Sequence, residues 1–283
     1  MPKVAIVTDS TTYLPAEYQD RYLIRTVPVM IIWSGQELYD GVDIQPDDFY
    51  RRLEDAPEMP TTSQPSPADI KEIFEDLLTQ GHDILGIFIS SKLSGTFTSA
   101  EQALAMLPGE NIRIIDSNTG AMGAGWPILS AARAAQKDAS LEQCAAIAER
   151  GLANVGIFLL LDTLEYLHRG GRIGRAQRFL GTALKLKPIL EVVDGEFLGV
   201  ERVRTDTKAI QRLVDLTVDR IANRSPVHLA VLHANARQKA EQLLEQTSAR
   251  VNPKETIIAS VSPAVGAHLG PGTVGTAFMA GID

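Results

Sequence analysis

The chain holds one cysteine in 283 residues, Cys144. A lone thiol excludes an intramolecular disulfide and any cysteine-built metal cluster. A reducing, cytoplasmic setting is the expectation. Positive charge is also short: 27 lysines and arginines stand against 35 acids, a formal charge of −8. That balance argues against a nucleic-acid surface. Long apolar runs are missing. Residues 155–161 form the longest near the middle, far too short to span a bilayer, so stable membrane insertion is not expected. The first nine residues lack the apolar length of a secretory signal and enter a strand at once. A Gly-x-x-x-x-Gly-Lys-[Ser/Thr] loop, a protein-kinase signature set and an acid cluster for Mg²⁺ are all absent, so neither ATP chemistry nor a resident cofactor is expected.

What is present is a core-forming composition, 45% hydrophobic and 22% charged, which suits one large or two ordinary domains. Residues 84–89 read as a buried parallel strand. The run stops at Ser90-Ser91, passes a hydroxyl-rich turn with Gly95, and enters a helix near Ala100. Residues 4–7 make a similar strand, closed by Thr8-Asp9-Ser10. In open α/β sheets, ligands lie beyond the carboxyl ends of such strands. The hydroxyls of Ser90, Ser91, Ser94, Thr96 and Thr98 therefore mark an anion or carboxylate site, with helix capping as the simpler reading. Asp9 reads equally as a cap and as a ligand. Thr61, Thr62 and Ser63 lie in an extended loop, too far upstream to cap the next helix, and are open to a second coordinating role.

The remaining pattern predicts an α/β fold of two domains. Residues 1–154 form an open parallel α/β sheet with a small β insertion at 23–58. Residues 155–283 form an α+β domain ordered β-α-β-β-α-β-α-β, with its last strand at 256–260. Helices are predicted over 68–80, 127–136 and 141–154. Gly120, Gly123 and Gly125 lack dinucleotide-fingerprint spacing and read as closely packed backbone. Residues 168–178 carry four arginines and no acid, which suits either a solvated loop or a face for an acidic or phosphorylated partner. The glycine-rich tail reads as a loop, with His268 either solvated or beside a ligand.

Taken in order, several motifs resemble the DegV family. They are Thr8-Asp9-Ser10, Thr62-Ser63-Gln64-Pro65-Ser66-Pro67, Ser90-Ser91-Lys92-Leu93-Ser94-Gly95-Thr96, Asp116-Ser117, Leu164-Glu165-Tyr166-Leu167 with Arg169-Gly170-Gly171-Arg172-Ile173, Lys187-Pro188-Ile189, and Gly266-Ala267-His268-Leu269-Gly270-Pro271-Gly272. The set covers nearly the whole chain. The resemblance implies a bacterial lipid-binding protein, not an enzyme, with a long-chain fatty acid in a tunnel and its carboxylate at the domain junction. It also implies a separate, dihydroxyacetone-kinase-like fatty acid kinase as partner, and so a part in phospholipid metabolism. Thr62, Ser94 and His268 correspond to the head-group residues, with Ser63, Gly95 and Thr96 beside them. Arg204, or else Arg202, corresponds to an arginine for the partner or phosphate, and Arg172 and Arg175 join that basic face. The competing chemistry is a serine hydrolase of acyl esters using Ser94 and His268, although Ser94 lacks a Gly-x-Ser-x-Gly elbow.

Overall fold

The computed structural model describes residues 3–54, 56–180 and 186–282. β1 (Val4–Asp9) leads through a 3-10 turn (Ser10–Thr12) to α1 (Ala16–Arg21) and β2 (Ile24–Val27). β3 (Met30–Trp33), β4 (Gln36–Tyr39), α2 (Pro46–Glu54) and the short β5 (Thr61–Ser63) follow. α3 (Pro67–Thr79), β6 (Asp83–Phe88), α4 (Thr96–Ala105) and β7 (Ile112–Asp116) continue the parallel alternation, and α5 (Ala121–Ala135) and α6 (Leu141–Leu152) come next. β8 (Val155–Leu160), α7 (Glu165–Arg169) and a 3-10 segment (Gly174–Phe179) precede the hairpin of β9 (Lys187–Val193) and β10 (Glu196–Val203). α8 (Asp206–Ile221), β11 (Val227–His233), α9 (Arg237–Val251), β12 (Glu255–Ser260), α10 (Pro263–Leu269) and β13 (Val274–Ala280) complete the described chain.

Three sheets result. An open parallel sheet has the order β2-β1-β6-β7. A six-stranded sheet has the order β10-β9-β8-β13-β11-β12 and is antiparallel except for β11 and β12. A small antiparallel sheet has the order β4-β3-β5.

The buried strands serve two cores at once, because successive side chains point to opposite faces. Ala5 and Val7 of β1 join Ile70, Phe74 and Leu77 of α3 and Ala100 and Ala103 of α4. Val4 and Ile6 point the other way, into the core that holds Trp126, Ile128 and Leu129 of α5. β8 divides likewise: Phe158 and Leu160 pack with Leu213 and Val214 of α8, while Ile157 and Leu159 join the α5 core. α5 is therefore buried almost all round and carries contacts to both large sheets. The Trp126 indole N–H donates to the Ala277 carbonyl of β13 at 3.2 Å. Gly123 permits the close approach, since a Cβ there would press on Ile157. Cys144 of α6 is buried and free, as expected.

Four expectations need correction. Residues 61–63 form β5 rather than a loop, pairing Thr62 with Ile31. β2 belongs to the parallel sheet and not to the insertion expected over 23–58. α5 starts at Ala121, not at Pro127, which lies inside the helix. The tail is not a loop: Ser262 caps α10, and β13 follows as a fully buried strand between β8 and β11. β12 is thus not the last strand. The strand–helix order expected from residue 155 holds, with α10 and β13 added to it.

A half-buried ion pair fixes α5 to β12. Arg133 donates to both Glu255 oxygens, at 2.9 and 2.6 Å, and His228 Nδ1 lies 3.2 Å from Oε2. Burial raises the Glu255 pKa, but the His228 and Arg133 hydrogen bonds prevail and hold it at about 2. Its contribution is complete above 4.5 and is lost as pH falls through about 2. Glu255→Gln should cost roughly 1–3 kcal/mol at neutral pH. The deficit should narrow on acidification, as followed by urea unfolding. Equal stability of the two proteins at neutral pH would remove this bridge from the account.

Candidate functional site

The carboxyl ends of β1 and β6 are joined by a buried carboxylate. Asp9 accepts the Ile89 N–H at 2.7 Å and the Thr11 N–H at 3.0 Å, besides the Thr11 hydroxyl. Burial pushes its carboxyl upward, against the hydrogen bonds from Thr11 and Ile89. Asp9 thus acts as a cap and tie. Beyond Ile89, the chain makes a tight turn in which the Leu93 and Ser94 N–H groups both donate to the Ser90 carbonyl. The Ser94 hydroxyl lies 2.8 Å from that of Thr96 and accepts the Thr96 N–H at 3.3 Å. α4 begins there, with Gly95 as its N-cap.

His268 sits in the last turn of α10, facing β5. Its Nε2 is 2.8 Å from Thr62 Oγ1, and its buried Nδ1 has no hydrogen-bond partner. Gly170 makes this seat possible, because a Cβ there would overlap Nδ1. With no acceptor near Nδ1, the proton is assigned to Nε2, which donates to Thr62. The Thr62 hydroxyl hydrogen is then free to point elsewhere. Burial, helped by the Arg172 charge, lowers the His268 pKa to about 4, so the ring is neutral at pH 7.

Thr62, Ser94 and His268 line one cavity, together with Arg172 and Gln64. Its enclosed volume is about 80 Å³, and about 800 Å³ when the open mouth is included. It is a narrow slot, smaller than the roughly 300–1,000 Å³ usual for small-molecule sites. Most of its wall is apolar: Val29, Ile89, Ile157, Leu159, Phe197 and Leu269 are representative. Both sides contribute, β5 and the turn after β6 from the first half and β8, β10 and α10 from the second. Arg172 is fastened at the rim, donating to the Leu93 carbonyl at 3.1 Å and the Gly170 carbonyl at 2.9 Å.

The other anticipated residues stand beside this lining rather than in it. Ser63 follows Thr62 in β5 and so projects from the opposite face. Gly95 backs the Gln64 side chain, and Thr96 is buried behind Ser94. Arg175 and Arg204 are exposed. Arg202 lies over the Phe179 ring at 4.7 Å, with Arg178 on the same ring at 5.4 Å. Arg169 pairs with Glu165 at 2.6 Å. Gln64 and Thr11 were not singled out in the sequence, although Gln64 lies inside the Thr62–Pro67 motif.

The pair Ser94 and His268 makes no nucleophile–base hydrogen bond among the described residues. His268 bonds Thr62 and not Ser94, and no acid bonds its Nδ1. Asp116, at the end of β7, is engaged by the Ser91 and Asn118 N–H groups. No group of three or more His, Cys, Asp or Glu among the described residues is placed to hold a metal ion. No helix among them is long and apolar enough to cross a membrane.

The family model described as "Uncharacterised protein, DegV family" matches residues 3–281. The chain belongs to the DegV family. A DegV domain-containing protein of Listeria monocytogenes is 35% identical over 274 residues, which are 96% of this chain and 97% of the relative. Protein DegV of Bacillus subtilis is 32% identical over 273 residues, covering 96% and 97%. Among solved structures, a DegV family protein from Thermus thermophilus, described by its fatty acid binding, superposes with a TM-score of 0.93. It is 31% identical, and the match covers 99% of this chain and 100% of that one. DegV of Bacillus subtilis, described as a fatty acid binding protein, gives a TM-score of 0.88 at 31% identity, covering 99% and 100%.

The imidazole provides a test of this geometry. Unfolded His268 titrates near 6.5 and the folded ring at about 4. Its contribution to stability is therefore complete above 6.5 and is lost as pH falls through about 4. An NMR titration of the ligand-free protein should show a His268 midpoint near 4. A midpoint near 6.5 would mean that the ring is solvated and the seat between Thr62 and Gly170 is wrong.

Proposed function

We propose that the cavity binds a long-chain fatty acid, with the acyl chain along the apolar wall and the carboxylate at Thr62, Ser94 and His268. The observation that carries this reading is the polarity of the cavity: Thr62 and His268 are hydrogen-bonded across most of the chain in a wall that also holds Ser94, and most of the remaining lining is apolar. Each buried methylene contributes about 0.8 kcal/mol. A buried carboxylate needs hydrogen-bond donors to remain charged. The Thr62 and Ser94 hydroxyls serve that need, and Arg172 lies near enough to place a cation at the rim. The Thermus and Bacillus relatives, described as fatty acid binding, support the ligand class. The site falls between residues 1–154 and 155–283, read here as two domains.

In this reading the protein is a carrier and not an enzyme, and it takes no cofactor. It presents the carboxylate to a separate fatty acid kinase in the cytoplasm, for acyl-phosphate formation. The exposed Arg175 and Arg204, together with Arg202 and Arg172, are the residues assigned to a basic docking face. Charge complementarity there raises the encounter rate and fixes register.

Ser94→Ala removes one hydrogen bond to a charged group, about 1.5–3 kcal/mol, so affinity for palmitate should fall roughly tenfold or more. Titration calorimetry with an intact-fold control checks this, and unchanged affinity takes Ser94 out of the site. Arg172 lines the cavity, so the docking face is better tested away from it. The double change Arg175→Glu and Arg204→Glu should leave palmitate affinity and thermal stability intact, while kinase-dependent phosphorylation falls and loses its salt sensitivity. Undiminished phosphorylation would sink the docking face.

A further inference from the structure

One polar side chain of the cavity wall is tied to nothing. Gln64 lines the cavity with Thr62, Ser94 and His268, and it is exposed. Its amide enters no hydrogen bond among the described residues. Its backbone, by contrast, is held on both sides. β5 pairs Thr62 with Ile31 and Ser63 with Met30 of β3. Pro65 is buried, and Ser66 closes a capping box with Asp69 at the start of α3, at 3.1 and 3.0 Å. A residue before proline is confined to extended backbone, so the alternation of β5 runs on through position 64. Thr62 and Gln64 therefore project to one side, that of the cavity, and Ser63 to the other.

Gly95 receives the Gln64 carboxamide. A Cβ at position 95 would stand 3.0 Å from Cδ and 3.2 Å from Oε1 of Gln64. Gly95 itself has a φ of −73°, which any residue adopts, so the glycine supplies room and not conformational freedom. It is the N-cap of α4, and no side chain caps that helix. The amide thus lies against the turn that carries Ser94. Two residues upstream, Thr62 meets His268 at 2.8 Å. Gln64 bridges the two hydroxyl segments of the site from a fixed backbone, with its donors unspent.

We propose that Gln64 is a further carboxylate-binding residue of the head-group site, and that it makes the site select a free fatty acid over the corresponding alcohol. A carboxylate only accepts hydrogen bonds, at about four lone-pair sites. The Thr62 and Ser94 hydroxyls can each supply one hydrogen. The Gln64 amide adds two N–H donors and no charge. A half-turn of the amide exchanges Oε1 and Nε2, so the nitrogen can face the ligand whichever way the group lies in the free protein. An alcohol head needs fewer donors, and it loses less when the amide is removed.

The inference rests on the fatty-acid reading, and two ligands keep them separate. Equilibrium binding of radiolabelled palmitate and of hexadecanol, which has the same chain with a hydroxyl head, is compared for the native protein and its variants, with thermal unfolding as the control for an intact fold. Gln64→Ala should bind palmitate roughly tenfold more weakly and hexadecanol within about threefold of native. Gln64→Glu keeps the shape but sets an anion against the carboxylate. It should lose more palmitate affinity than Gln64→Ala and reverse the preference towards hexadecanol, whose hydroxyl can donate to the new group. Gly95→Ala, which pushes the amide from its seat, should weaken palmitate binding in the native background and add nothing in the Gln64→Ala background. Palmitate bound equally by native protein and Gln64→Ala overturns the role of Gln64 and leaves the fatty-acid reading standing. Equal losses for acid and alcohol mean that the side chain only packs, and overturn it as well. Additive losses in the double variant would put the Gly95 effect in α4 itself and overturn the seating of Gln64. Native protein that binds neither ligand ends the fatty-acid reading and this inference together.

Discussion

The bond from the Ile89 N–H to Asp9 is the constraint on which the cleft depends. It holds the carboxyl ends of β1 and β6 together beyond the last pair of their ladder, Val7 with Gly86. A buried carboxylate is costly unless donors surround it, and the Thr11 and Ile89 donors are themselves the turn that follows β1 and the exit from β6. The carboxyl and the turn therefore stabilise each other. From that junction Ser10 reaches back to Asp40, Thr11 faces the cavity, and the chain beyond Ile89 delivers Ser94. The second half is brought to the same place by α5, whose apolar surround spans both large sheets.

Parallel strands were legible in the sequence wherever an apolar run ended in hydroxyls, as at residues 4–7 and 84–89. β13 was not legible. Val274-Gly275-Thr276-Ala277 has small side chains and no alternation, because the strand is buried on both faces. Gly275 is required there, since a Cβ would collide with Leu159 and the Phe158 carbonyl. A residue chosen for close packing looks in the sequence like a residue chosen for a loop. β5 was hidden for another reason: three hydroxyl residues gain their strand conformation from β3 and not from their own propensity.

For the site, residue patterns alone located the hydroxyl-rich turns but left each with a capping alternative. Thr62, Ser94 and His268 came together as a set only through the family resemblance. Their shared cavity depends on pairings across most of the chain, such as Thr62 with His268, which no local spacing encodes. Asp40 gave no signal at all. In Tyr39-Asp40-Gly41 it reads as an ordinary turn acid, and only its burial beside Ser10 separates it from one.

The position of β13 has a consequence for the order in which the protein comes into being. Synthesis delivers β1, β2, β6 and β7 early, and their sheet takes no strand from later in the chain. The six-stranded sheet differs, because its centre is left open until the strand between β8 and β11 has emerged. α10 arrives immediately before that strand, so His268 is among the last groups to be set in place. A nascent chain thus carries one wall of the cavity, complete with Ser94 and Thr62, but no closed slot. The slot closes only once α10 and β13 are in place.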